Sequence, residues 1–534
     1  MNRSALQLLR RCATNEHHDR RENQTAQEHG AILQSHLAAI LAFGFMIAMS
    51  ASAEAQVSTP LSPVASPAPA TPAVSGPPVN LSLVEAVALG LRDNRTIRSA
   101  YLDRIAQRFD LVVAKSAFLP KLNIVGDVEA SRTLGPPGTT SSLSPTATWL
   151  APTGATVQFS WVRYQTVGGG QLAQQSETTN LTVTQPLLQG AGLAVNLAPV
   201  RIAELQEQIN KLALKTTVSA TVTSIIQAYR SLQQAQEQLK LAKASQGRSK
   251  SLLETNRSLI AAGRMAAADL IQTEADAANQ EVAVLQAEQT RESAQLALLQ
   301  LLSVDLRTDV IAADPINAEH MDINLEQVIA LGLNNRMDLL AERKTLAQDR
   351  QSLIVAKNNR LWNLSVVGSV ENEHFSGAAA ALATVAGTNT VATVTSGTTG
   401  SVGLQLNVPI GNFSLRQGEI QAQINVKKAE IQLEDLEQQV EASVRDAAHG
   451  VEISWRQLEA ARQARALAAQ ALENERDKLK AGRASNFEVL AFEADLRAAN
   501  TQSLASSIAY LNALTTLDQQ LGTTLDTWRV SLND

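Results

Sequence analysis

The chain has 534 residues, a formal net charge of −6 and a single cysteine, Cys12. The mildly negative balance gives no electrostatic reason to expect nucleic acid or an anionic membrane surface as a partner. With its only cysteine this close to the start, the folded part is expected to hold no disulfide, thiolate nucleophile or cysteine-ligated metal.

Residues 1–36 are mixed polar, with positive charge at Arg10, Arg11, Arg20 and Arg21. Residues 37–49 (LAAILAFGFMIAM) form an uncharged apolar run of 13. Small residues at Ala51 and Ala53, or at Ala53 and Ala55, offer two cleavage sites. The run fits the ~7–15 residues of a secretory signal and is short for a membrane-spanning helix. The expectation is a signal peptide with a long n-region over 1–55; an N-terminal membrane anchor is the alternative. Cys12 precedes the apolar run and cannot be a lipobox cysteine. Residues 56–80 are rich in Pro, Ala and Ser and read as a flexible lead-in. No later segment has 18 continuous apolar residues, so a membrane crossing would require β-strands.

The rest reads as one unit written twice: a first repeat over 81–305, a linker over 306–322, a second repeat over 323–525 and a tail over 526–534. LSLVEAVALGL from Leu81 aligns with INLEQVIALGL from Ile323 without a gap, an offset of 242. The same offset pairs Lys115 with Lys357, Leu122 with Leu364 and Gly126 with Gly368. Register held this far indicates internal duplication.

Each repeat opens with a plausible N-cap, Ser82 or Asn324, and a short amphipathic helix. A longer helix follows, about 96–118 and 337–361. The period then changes to two: 121–130, 155–163 and 179–188 in the first repeat, 364–372 and 401–409 in the second, read as strands. Segments of this length suit tilted membrane strands. Gly/Ser/Thr-rich stretches 132–154 and 376–400 read as long loops, with 143–149 a possible extra strand. The strands lie within 121–188 and 364–409.

Long helical hairpins come next, over 194–302 and 412–521. Their first arms are nearly free of helix breakers, with apolar residues at helical spacing such as Val218, Val222, Ile225, Tyr229 and Leu232. The stretch 196–262 would span about 100 Å, close to the ~90 Å of the two shorter helices of its repeat laid end to end. Alanine-rich seams with alternating three- and four-residue spacing favour side-by-side packing. A single layer of such helices has a poor core unless copies close into a ring. Two strands per repeat, four per chain, are too few for a barrel; three chains would give twelve.

The segments LSLVEAVALGLRDN, AKSAFLPKL, LTVTQPLLQGAG and AGRASNFEVLAFEADL resemble the TolC-like outer-membrane efflux protein family, and the resemblance covers about residues 80–525. It implies a mixed α and β fold in which duplicated long-helix hairpins form a trimeric α-helical barrel joined to a 12-stranded outer-membrane β-barrel, four strands per chain. It further implies the outer-membrane channel of a tripartite efflux or type I secretion system, in a Gram-negative bacterium. The implied partners are a homotrimer, a periplasmic adaptor, a proton- or ATP-driven inner-membrane pump and outer-membrane lipid. A periplasmic coiled-coil adaptor or structural protein is the rival reading. The family's usual proline after the first short helix is replaced by Arg95, and by Met337 in the second repeat.

Turns at Ala262-Gly263-Arg264 and Ala481-Gly482-Arg483 join the hairpin arms. Gly263 and Gly482 supply positive φ. Arg264 and Arg483 are placed to bond the last helical carbonyls. By position in the family, these turns would be the periplasmic tips and adaptor contacts. Asp269 and Glu488, matched at an offset of 219, are candidate lumen or gate charges or solvated helix faces. No catalytic, cofactor or metal site is expected. Of seven histidines, four precede residue 37, and His320, His374 and His449 are isolated. No nucleophile constellation or phosphate loop is present.

Overall fold

A computed structural model describes residues 78–132, 137–168, 171–263, 266–378, 392–481 and 483–531. The expected signal peptide, and all but the last residues of the lead-in, lie outside the described residues.

The first repeat runs β1 (Val79–Leu81), α1 (Leu83–Asp93), α2 (Arg95–Lys115), β2 (Lys121–Ser131), β3 (Gly138–Leu150), β4 (Thr156–Gly168), β5 (Gln171–Pro186), a single turn α3 (Leu193–Asn196), α4 (Ala198–Ala261) and α5 (Ala268–Leu302). After β6 (Val310–Ala312) the second repeat gives α6 (Leu325–Asn335), α7 (Met337–Asn359), β7 (Asn363–Ala378), β8 (Ala392–Asn407), α8 (Phe413–Lys480), α9 (Asn486–Leu521) and the turn α10 (Thr524–Thr527). Ser82 and Glu85 form a capping box at α1. Asn94 accepts from the amides of Thr96 at 2.8 Å and Ile97 at 3.1 Å, so α2 starts at Arg95 without a proline.

The helices form one layer. α4 packs against α2 along its first part and α5 along its second; its other side meets α7 and then α9; α8 closes the row against α7 and α9. Salt bridges mark the levels: Arg104 of α2 with Glu207, and Lys243 of α4 with Glu288 of α5. Two short helices thus continue one another along each long one, as their lengths require. At the joints α1 and α6 wedge into the layer. A Cβ on Gly90 would lie 2.2 Å from Cδ1 of Ile225, and one on Gly332 would lie 2.9 Å from Cγ2 of Val444. Ile225 and Val444 are equivalent in the two repeats, so duplication extends to the packing. β1 and β6 pair in parallel beside the first joint, where buried Tyr229 donates to the Leu81 carbonyl at 2.9 Å. Burial raises its phenol pKa.

The main sheet has six antiparallel strands in the order β2-β3-β4-β5-β7-β8. This corrects the count of four per chain. The stretch 132–154, read from sequence as a loop, contains β3, and 143–149 is its lower part. Its Ser/Thr-rich composition and Pro145 hide the alternation, but ladders to β2 and β4 pair its backbone on both sides. β7 and β8 likewise extend into the stretch 376–400 read as a loop.

Cross-strand partners share a face. One cross-strand row links Leu122, Ala147, Phe159, Leu181, Val370 and Gly400. This face carries the apolar side chains. The opposite face carries Asn123, Thr146, Ser160, Asn180, Glu371 and Thr399 in the same manner, all polar. On β2 the exposed apolar residues run from Leu122 to Val128, away from the helices; on β8 they run from Val402 to Leu406, toward them. The apolar band therefore slips about seven residues over five strand steps. At ~3.3 Å per residue and ~4.8 Å between strands, that slip is a strand tilt of about 43°. Membrane barrels tilt their strands by about 35–45°. Trp149 and Trp362 share this face at the helix end of the sheet; Trp161 lies within the band and Tyr164 on the polar face.

Candidate functional site

The far ends of the two helical hairpins form the candidate site. At the first, Gly263 has φ +71° and its amide donates to the Ile260 carbonyl at 2.9 Å. This is the left-handed helix stop that glycine favours. Arg264 lies outside the described residues, as does Gly482 at the second tip. Arg483 does bond a terminal carbonyl, but through its backbone: its amide donates to Lys478 O at 2.8 Å, the long bond of a Schellman stop.

Asp269 lies in the first turn of α5. Glu488 lies in the first turn of α9, where its carboxylate accepts from the Ser485 amide at 2.7 Å and hydroxyl at 2.9 Å. The Ser485 hydroxyl accepts from the Glu488 amide, completing a capping box. The backbone bond first, then the hydroxyl, holds the Glu488 carboxyl below the usual range. The first tip has no side-chain cap on α5.

A charge buried between the hairpins is found five residues on. Glu493 of α9 is 4% exposed. It accepts from Arg248 of α4 at 3.0 Å on one side and from Arg476 of α8 on the other. One carboxylate thereby ties three helices and both hairpins. About two helical turns nearer the tip, Asn256 of α4 donates to Thr273 Oγ1 of α5 at 2.8 Å and to Asn486 Oδ1 of α9 at 2.9 Å. Asn486 returns a bond to the same threonine at 2.8 Å. Ser249 donates to Asp276 of α5 at 2.6 Å, and Arg497 of α9 approaches that carboxylate at 3.6 Å. Leu252 of α4 packs into the small apolar cluster of Leu472, Leu479 and Val489.

Sequence reasoning did not find this seam. One signal was available: Arg476 and Glu493 stand at an offset of 219 from Arg257 and Glu274, which pair at 3.2 Å within the first hairpin. The duplicated pair marks an arm-to-arm contact, but only the fold shows that its second copy is buried against Arg248.

Among the described residues no group of three His, Cys, Asp or Glu side chains could hold a metal ion, and no helix is long and apolar enough to cross a membrane. A cleft lies far from the tips, beside the second joint, where the tilted rings of His320 and Trp455 lie 5.0 Å apart.

The family described as Outer membrane efflux protein matches residues 88–304. No curated protein sequence matches the chain. Among solved structures, the chain is similar to CusC, described for its transmembrane channel formation, with 16% identity, TM-score 0.62 and coverage of 82% of this chain and 92% of that one. It is similar to VceC, an outer membrane protein of Vibrio cholerae, at 16% identity and TM-score 0.62, covering 82% and 96%. The Campylobacter jejuni CmeC outer membrane channel gives 16% identity and TM-score 0.61, covering 83% and 86%.

Proposed function

We propose that this chain, an outer membrane efflux protein over residues 88–304 on the fold of outer-membrane channels, is a TolC-like exit duct. In this reading its sheet crosses the outer membrane and its helical layer reaches into the periplasm. The observation that carries it is the sheet: apolar on one face, polar on the other, with a band tilted as a membrane barrel requires.

The chain is incomplete alone, which supports assembly as a homotrimer. Its helical layer ends in α2 and α5 on one side and α8 on the other. Leu102, Ile105 and Phe109 stand exposed on α2, and Ile420, Ile424 and Ile431 on α8. Joining α8 of one copy to α2 of the next covers both rows, and repeating that head-to-tail contact closes a ring. The polar sheet face then lines a wet lumen.

The duct is passive and not an enzyme; transport energy comes from an inner-membrane pump, proton- or ATP-driven, coupled through a periplasmic adaptor. The adaptor docks at the tips, with Gly263, Arg264, Gly482 and Arg483 as contacts. The seam at Glu493 holds the two hairpins together in the closed tip, and adaptor binding opens it by favouring a splayed arrangement. Efflux of small molecules and type I secretion share this geometry. Fractionation and planar-bilayer recording test the reading together: outer-membrane location and ion conductance are expected, and absence of both sinks it.

A further inference from the structure

We infer that three copies close an eighteen-stranded barrel, as wide as the helical tunnel beneath it. The inference rests on the ring reading above and adds what the β3–β4 hairpin does in it.

That hairpin crosses the full height of the sheet. Its lower turn sits at the helix end, where Ala151 donates to the Ala155 carbonyl at 2.7 Å and Gly192 donates to Thr153 O at 3.0 Å. Its upper ends pair Gly138 with Gly168, level with Ser131 at the top of β2. Its outward residues Leu143, Ala147, Phe159 and Trp161 continue the apolar band between β2 and β5. A four-stranded contribution would require this hairpin to leave the sheet. That would give up the β2–β3 and β4–β5 ladders, which run along nearly the whole length of these strands.

The edges are fit to join. β2 runs away from the helices and β8 returns toward them, so β8 of one copy meets β2 of the next antiparallel. Both edges present exposed apolar rows, Leu122 and Ile124 on one and Leu404 and Leu406 on the other. No edge is left open in lipid.

The circumference agrees independently. Each chain contributes four helical rods at any level. Twelve rods at 8–10 Å spacing make a ring of about 100–120 Å. Strands ~4.8 Å apart and tilted about 43° each occupy ~6.5 Å of circumference, so eighteen make about 120 Å and twelve only about 80 Å. Six strands per copy therefore continue the helical wall without a constriction, and size selection falls to the tips.

Single cysteines test this in a Cys12→Ser background. Leu143→Cys and Phe159→Cys report the outward face of the hairpin, Ser160→Cys its lumen face, and Leu181→Cys and Val370→Cys the outward faces of β5 and β7. The assembled protein is labelled with bimane in vesicles containing brominated phospholipid. Loss of fluorescence at 143 and 159, and at 181 and 370, is expected, with none at 160. Loss at 181 and 370 but not at 143 or 159 overturns the eighteen-strand barrel and leaves the channel reading standing. No loss at any of the four overturns the membrane-sheet reading itself. Ala147→Cys and Trp161→Cys replace any variant that fails to assemble. The mass of the assembly in lipid nanodiscs is expected to equal three copies; any other number overturns the count.

Discussion

Arg248 of α4 meets Glu493 of α9 at 3.0 Å, joining one helical hairpin to the other through a buried carboxylate. Removing one member of a buried ion pair costs about 3–5 kcal/mol. Both arginines are partly exposed, which places this seam at the low end of that range. Glu493→Gln should therefore weaken the closed tip by roughly 3 kcal/mol, about a hundredfold in the closed-to-open ratio. A higher single-channel conductance in planar bilayers is the expected outcome. Wild-type conductance in Glu493→Gln would rule out the seam as the closing contact.

The first joint leaves no room for a methyl group on Gly90. Alanine is normally better than glycine inside a helix by roughly 0.5–1 kcal/mol. Here the new Cβ would meet the fully buried Ile225 at 2.2 Å, and overpacking typically costs about 1–3 kcal/mol. Gly90→Ala should lower the thermal midpoint measured by circular dichroism. Ile225→Val removes the clashing Cδ1, so the double variant should be more stable than Gly90→Ala alone. Simple addition of the two single losses would refute the contact.

The polar face of the sheet carries Asp127, Glu129, Glu371 and Glu373, with Lys121 at its base. Repeated around a ring, these carboxylates favour cations. A cation-selective reversal potential under a salt gradient is expected. Glu371→Gln with Glu373→Gln should move it toward zero, whereas the same substitutions on the apolar face should not.

Acid should loosen the caps. Backbone bonds from Ser82 and Ser485 hold the carboxyls of Glu85 and Glu488 below their ordinary value of 4.5, and Arg104 does the same for Glu207. A carboxyl with a lowered folded pKa stabilises above its unfolded pKa, and that contribution disappears as pH falls through the folded value. The thermal midpoint should thus fall as pH drops below about 4.5. Hydrogen exchange at the start of α9 should quicken over the same interval, and Ser485→Ala should already exchange fast at neutral pH. An acid response at that site in Ser485→Ala as large as in the wild type would exclude the cap as its source.

The duplication, the long rods and their turns could be read from sequence because helical periodicity is local. Val218, Val222, Ile225 and Tyr229 announce a buried stripe without reference to any other segment, and Gly263 announces a stop by its backbone freedom alone. The resemblance to outer-membrane efflux proteins rested on the same local motifs. The number of strands was decided only in three dimensions. β3 alternates too weakly to declare itself, and it is a strand because β2 and β4 complete its hydrogen bonds from both sides. Glu488 and Glu493 look alike in sequence, each an acid on the same helix. Glu488 satisfies its own helix end, three residues from its partner. Glu493 becomes the tie between hairpins because folding buries it and brings Arg248, 245 residues away, against it.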